Sequence, residues 1–371
     1  MRVFALHGGK VTETDSLDTA LPQGGFVWIA CSRKELEADV GRIQQALQCL
    51  AGVQLVDLHI SDLLNRQLPS HYDYTSQYDL LVFRRLAASP TGSGETDKPA
   101  DDPSAAPLMP GGPLVLRRID TTPVGFAVFD QVLLTVHPED CLVRDAFAAR
   151  LLAGHASETR TTGARTPAGP ADLMLRIVNL MVDSYLELRR ELTRQLDHWQ
   201  TELLRPRPRL TDWSALLDAR MALHHLDEIC EDQRASIQDW IDALETWPAP
   251  TSAPAERERD LLMVRSRDVL EHIERVVHHV RRLEQSAETA VQMHFSVQSN
   301  RTNDIMRLLT TLTAVFLPLN LIAGIFGMNF EFIPLVHKQD GFWWAMGSMA
   351  TIAVVLIGWF WRKKYLSRPA R

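Results

Sequence analysis

Cysteine is scarce in this chain. Cys31, Cys49, Cys141 and Cys230 are scattered and form no CxxC pair, which argues against a thiolate zinc centre or a disulfide framework and predicts buried, reduced thiols. There is no P-loop, GxSxG, HExxH or nucleotide-binding glycine pattern, so neither enzyme chemistry nor ATP-driven pumping is expected. A net charge of −7 without a basic aromatic patch argues against nucleic acid as a partner. Met1 to Gly9 lacks the charged start, apolar run and cleavage site of a signal peptide, which predicts a body that stays in the cytoplasm. The most informative absences are local. From Ala255 onward there is no proline until Pro318 and no glycine until Gly324. Two stretches, the 23 residues Leu308–Phe330 and the 21 residues Gly341–Trp361, carry no ionisable side chain.

Uncharged runs of that length read as membrane spans, because ~20 helical residues cross a hydrocarbon core of about 30 Å. The hydrophobicity is concentrated at the C-terminal end, behind a polar body of about 300 residues, large enough for one or two domains with real cores. After Trp361 come Arg362, Lys363, Lys364, Arg368 and Arg371 with no acid, whereas the interspan loop carries Glu331, Lys338 and Asp340. The positive-inside rule places the basic tail in the cytoplasm and the loop outside, and two spans return the N-terminal body to the cytoplasm. Trp343, Trp344, Trp359 and Trp361 fall near the ends of the second span, where aromatic belts form.

The body reads in two parts. Residues 1–170 are expected to be a mixed α/β domain. Gly25–Ala30 is a strand; Ser32 caps a helix to about Leu50, with Glu35 completing a capping box. Val53–Leu58 alternates again, Asp79–Arg84 is a strand, and Val124–Phe129 with Val132–Val136 forms a hairpin about Asp130-Gln131. Residues 89–113, dense in Pro, Gly, Ser and Asp, are a disordered loop. Helix resumes at about Glu139. Residues 171–254 hold two antiparallel helices, the second acidic through Asp227, Glu228, Glu231, Asp232, Asp239, Asp242 and Glu245. These acids are either a solvated face or a cation-sensitive reservoir near the Arg362-Lys363-Lys364 collar. Residues 255–304 form a stalk helix that runs into the first span, 305–328; a loop, 329–340, a second span, 341–361, and a basic tail, 362–371, follow. A helical pattern some 60 residues long would measure ~90 Å and needs partner helices from its own chain or from other copies.

Stepping by three or four from Asn303 gives Met306, Thr310, Thr313, Leu317, Asn320 and Gly324. Polar groups in a membrane helix face a bundle interior or water, so a polar stripe broken by apolar positions suits a conduction path with hydrophobic constrictions. Helix–helix packing would also use Thr and Asn. One hairpin cannot enclose a pore, whereas symmetric copies can. Pro318 frees the carbonyl of Ala314, a defect tolerable near water. Gly327-Met328-Asn329 ends the first span, and Asn329 repeated around an axis would offer a ring of carbonyl oxygens to the hydration shell of Mg²⁺, which sheds water reluctantly.

Ser299–Asn303, Phe316–Leu319, Ile322–Phe330 and Arg362–Leu366 resemble the CorA family of magnesium transporters, most densely from Arg267 to Leu366. The resemblance implies a homopentameric funnel in the bacterial inner membrane, an α+β cytoplasmic domain with a long stalk helix and two C-terminal spans. It also implies passive transport of Mg²⁺, and closure by bound cytoplasmic Mg²⁺. By the same resemblance, Gly327, Met328 and Asn329 form the selectivity filter. Met306, Leu309 and Leu317 form a hydrophobic gate, with Asn303 beneath it, and Asn320 stands where a pore threonine is common. Asp268, with His272 one turn on, matches a regulatory Mg²⁺ ligand; an exposed charge pair is the plainer alternative.

Two departures stand out. Ile333-Pro334-Leu335-Val336 lacks the family's loop glutamate, leaving Glu331 and Asp340 as an outer acidic ring, and Gln292 stands at a stalk position that is often acidic. A zinc transporter of the ZntB type, within the same superfamily, is the related alternative, disfavoured by Met328 and the absence of a glycine-rich loop. A hairpin that only anchors a cytoplasmic scaffold or sensor is the alternative from another class. The 13 histidines, including His224-His225 and His278-His279, show no spacing that joins them to cysteine or carboxylate.

Overall fold

The computed structural model describes residues 1–8, 10–17, 20–86, 121–156, 166–203, 214–248, 252–328 and 339–363. It divides into two compact units, Met1–Thr289 and Ala290–Arg371.

The first unit is built on a seven-stranded sheet of order β2-β1-β3-β7-β6-β5-β4. The strands are β1 (Arg2–His7), β2 (Lys10–Thr14), β3 (Gly25–Ser32), β4 (His71–Tyr74), β5 (Asp79–Leu86), β6 (Thr121–Val128) and β7 (Val132–His137). All neighbours are antiparallel except β3 and β7, which run parallel at the centre. Those two are buried almost throughout, as expected of strands covered on both faces. Alternation splits β3: Val27, Ile29 and Cys31 join a cluster with Leu36, Ile43, Leu47 and Leu63. Trp28 faces the other side, stacks on Phe4 and donates its indole N–H to Thr135 Oγ1 at 3.0 Å.

One face of the sheet carries α1 (Arg33–Ala38), α2 (Val40–Ala51) and α3 (Asp57–Leu64); the other carries α4 (Leu142–Ala156), α5 (Pro170–Leu203) and α6 (Ser214–Thr246). The Ser32–Glu35 capping box forms as read, as does the β6–β7 hairpin, closed by Phe129 N–H donating to Val132 O at 2.9 Å. The helix after Ser32 is not continuous: Asp39 (φ −120°, ψ 28°) breaks it into α1 and α2. Val53–Leu58 is not a strand. Gly52, in the left-handed region at φ 73°, ends α2, and the chain turns into α3 at Asp57. The loop expected at 89–113 lies outside the described residues.

Two side chains anchor α5 and α6 to one acceptor on the sheet. Tyr185 Oη and Gln233 Nε2 both donate to the carbonyl of Arg84, at 2.9 and 2.7 Å. The long helix α7 (Ala253–Phe326) finds its partners in its own chain over this unit. Ser266, Val269, Ile273, Val276, Val277, Val280, Leu283 and Ala287 recur at three- and four-residue spacing and are buried. Arg265 pairs with Asp172 of α5, Thr193 Oγ1 meets His279 Nε2 at 2.8 Å, and Arg281 pairs with Asp227 and Glu231 of α6. The second unit consists of the rest of α7 and α8 (Gln339–Arg362).

Candidate conduction path

Among the described residues α7 and α8 are the two helices long and apolar enough to cross a membrane. Only 6% of the apolar window of α7 is buried, which separates it from the core helix of a soluble domain.

The membrane part of α7 has two unlike faces. Asn303, Met306, Thr310, Thr313, Leu317, Asn320 and Gly324 lie within an arc of about 100° on a helix that turns 100° per residue, and all are exposed in the single chain. Leu309 borders the arc and is exposed too. The less exposed positions are Thr311, Ala314, Val315, Pro318, Leu319, Ile322 and Phe326, centred about 150° away on the same helix. In α8 the corresponding positions are Gly341, Ala345, Ser348, Met349, Ile352, Ala353, Leu356 and Phe360, again at three- and four-residue steps. The second unit contains no other described helix, so these are the faces the hairpin buries in itself. The polar stripe looks away from that contact.

Thr310 and Thr313 donate their hydroxyls to the carbonyls of Met306 and Leu309, at 2.8 and 2.9 Å. With the proton used inside the helix, each oxygen is left as an acceptor for water hydrogens. Such a surface suits the waters around a cation. Pro318 lies inside the helix on the less exposed face.

Helix α7 ends where the glycine stands. Gly327 N–H donates to Ala323 O at 2.9 Å and Met328 N–H to Ile325 O at 3.3 Å, and a Cβ at Gly327 would sit 3.0 Å from the Ala323 carbonyl oxygen. Met328 is exposed. Asn329, Glu331 and Lys364 lie outside the described residues; Asp340 falls in the first turn of α8. Arg362 closes α8, and Lys363 N–H donates to the Trp359 carbonyl.

In the first unit Asp268 and His272 do come together, with Oδ1 and Nε2 3.8 Å apart and Asp268 exposed. Much of the acidic face of α6 is already paired. Asp227 and Glu231 hold Arg281, Glu231 also accepts from Arg234, Glu245 faces Arg267, and Asp242 accepts from Gln238. This favours the solvated, ion-paired reading of that face over a free reservoir. Sequence spacing missed one grouping: His224 and His225 both meet Glu228 on α6, and His224 also meets Glu284 on α7. The spacing of His224, His225 and Glu228 is local, but Glu284 lies on a different helix and no sequence pattern links it to them.

A mixed α/β body followed by a C-terminal hairpin of apolar helices defines a membrane protein with two candidate spans. The model of the family described as CorA-like Mg²⁺ transporter protein matches residues 113–364, more than half of the chain, and the chain belongs to that family. Over 194 residues it is 27% identical to the cobalt/magnesium transport protein CorA of Thermotoga maritima, covering 52% of each chain, so it spans about half the length of that relative. Over 256 residues it is 25% identical to the cobalt/magnesium transport protein CorA of Methanocaldococcus jannaschii, covering 68% of this chain and 75% of the other. The complete structure of the CorA magnesium transporter from Methanocaldococcus jannaschii matches with TM-score 0.71 at 19% identity over 98% of both chains. The structure of the full-length CmaX protein matches with TM-score 0.60 at 19% identity, over 98% and 97%. At that identity the likeness is one of fold.

Proposed function

We propose that this chain is a passive channel for divalent cations, chiefly Mg²⁺ with Co²⁺ or Ni²⁺ as further cargo, in a bacterial inner membrane with both termini cytoplasmic. Five copies place the Asn303-to-Gly324 face of α7 around a common axis. Asn329 of each copy contributes a carbonyl oxygen to the outer filter beside Gly327 and Met328. Met306, Leu309 and Leu317 constrict the path, Thr310, Thr313 and Asn320 carry the hydrated ion past them, and Glu331 and Asp340 gather cations at the mouth. Asp268, with His272, binds regulatory Mg²⁺, and Arg362, Lys363 and Lys364 form the cytoplasmic collar.

The observation that carries this reading is the opposition of faces on α7: the polar stripe points away from the helix it packs on. In lipid that stripe would be costly, and around a shared aqueous axis it is satisfied. Membership of the CorA-like family and the names of its relatives support the choice of cargo. The test is Mg²⁺ flux into liposomes. Asn329→Ala should abolish uptake while the oligomer elutes unchanged; full flux in that variant would reject the filter and with it the pore.

A further inference from the structure

Four side chains of the first unit gather where α6 faces α7, and none of them is assigned to conduction or gating. His224, His225 and Glu228 lie at i, i+1 and i+4 on α6, so Glu228 sits between the two imidazoles on the helix surface. His225 Nδ1 is 3.5 Å from Glu228 Oε2, and His224 Nε2 is 3.8 Å from Glu228 Oε1. On the far side of the His224 ring, Nδ1 is 3.4 Å from Glu284 Oε1 of α7. The three α6 side chains are each more than 60% exposed, so their torsions are free to adjust.

That last contact gives the cluster its chemical direction. A metal-binding histidine typically donates its second ring N–H to a carboxylate, which fixes the tautomer and aims the other nitrogen's lone pair at the metal. Glu284 stands within reach of that role: its carboxylate lies 3.4 Å from Nδ1, and a small ring rotation that makes the hydrogen bond leaves Nε2, 3.8 Å from Glu228, free to bind. Donor atoms around tetrahedral zinc are separated by roughly 3.3 Å, given bonds of about 2.0 Å. The two separations to Glu228, 3.5 and 3.8 Å, are a little wider, and among the described residues no group of three or more His, Cys, Asp or Glu side chains stands, as placed, where it could hold a metal ion. Small rotations of exposed side chains would close the set. Among the described residues on these two helices, Arg281 is engaged with Asp227 and Glu231, and Arg220 with Glu288.

We infer that His224, His225 and Glu228, with Glu284 as the outer carboxylate, form a binding site for a borderline transition-metal ion such as Zn²⁺. Two imidazoles and one carboxylate leave a fourth position for water, and imidazole nitrogen favours Zn²⁺, Co²⁺ or Ni²⁺ over Mg²⁺. Through Glu284 the bound ion would also tie α6 to the helix that continues into the span. The site stands independently of the pore.

The experiment uses the full chain in detergent, stripped with EDTA and titrated with Co²⁺. One Co²⁺ per chain should give the intense visible bands of four-coordinate cobalt, lost on adding equimolar Zn²⁺ and unaffected by excess Mg²⁺. His224→Ala/His225→Ala should abolish the bands, Glu284→Gln should weaken binding by about 10- to 100-fold, and His278→Ala should leave them unchanged. Weak six-coordinate spectra that Mg²⁺ displaces, or intense bands that persist in the double variant, would overturn the assignment. The intensity of the spectrum also distinguishes this site from a hydrated ion held by a pore.

Discussion

The indole N–H of Trp240 on α6 donates to the hydroxyl oxygen of Ser266 on α7 at 2.9 Å, and the Ser266 hydroxyl donates onward to the Leu262 carbonyl at 2.8 Å. Both residues are fully buried, and the Trp240 ring meets Tyr72 of β4 and Trp247 edge-on. This one contact joins the sheet, the acidic helix and the stalk.

Removing it should therefore be costly. Ser266→Ala strands a buried indole N–H and should cost about 1–3 kcal/mol. Trp240→Ala adds a cavity and should cost about 3–5 kcal/mol. Thermal unfolding of the purified chain measures both, and a Ser266→Ala midpoint equal to wild type would show that the hydrogen bond contributes nothing net.

Acid should weaken the first unit through His137. Burial pushes its pKa down to about 4, with the charge of Arg144 acting in the same direction and the bond to the Pro138 carbonyl opposing it. The unfolded imidazole titrates near 6.5, so the unfolded chain takes up a proton first. The stability contributed by neutral His137 is present above pH ~6.5 and is lost as pH falls toward about 4, by at most about 3 kcal/mol. His137→Phe should flatten the slope of melting temperature against pH across that window. Equal slopes in variant and wild type would exclude His137 as the source.

What could be read from residues alone was whatever local chemistry decides. Ser32 and Glu35 announced their capping box, Asp130-Gln131 the hairpin, and the proline-free stretch after Ala255 a helix that the structure extends to Phe326. Strands β1, β2 and β4 went unread, because short edge and near-edge strands carry little periodic signal. Val53–Leu58 misled because its apolar spacing fits two periods. The outcome there depends on contacts made elsewhere in the chain: Gln44 holds the backbone of Leu55, and buried His59 sits between Tyr78 and Asp73. The stripe on α7 was legible, but the face opposite it needed α8 in place.

Gating makes a separate demand on Asp268. If cytoplasmic Mg²⁺ closes the pore through this exposed carboxylate, Asp268→Ala should raise the Mg²⁺ concentration for half-inhibition by roughly tenfold, about 1.4 kcal/mol of lost ligand energy. Folding should be untouched, since Asp268 is exposed and its close charge partner among the described residues is His272 at 3.8 Å. Patch recordings at stepped internal Mg²⁺ measure it; an unshifted inhibition curve would leave the Asp268–His272 contact a plain surface pair.

Thr311 and Thr313 give the sharpest comparison. Both are threonines of one helix, and each hydroxyl donates to the carbonyl four residues back, at 2.8 and 2.9 Å. They differ in direction: Thr311 is buried on the face toward α8, and Thr313 is exposed on the stripe. Valine at either position keeps the shape and removes the oxygen. If the stripe lines a shared pore, valine at 313 in every copy takes a ring of acceptors from it and should cut Mg²⁺ flux by roughly tenfold, about the worth of one hydrogen bond. At 311 the oxygen faces only a neighbouring helix, so flux should stay within about twofold, the change expected for a small packing adjustment. Liposome uptake of both variants, normalised to reconstituted protein, decides the matter. A larger loss at 311 than at 313 would mean that the axis lies on the other face of α7.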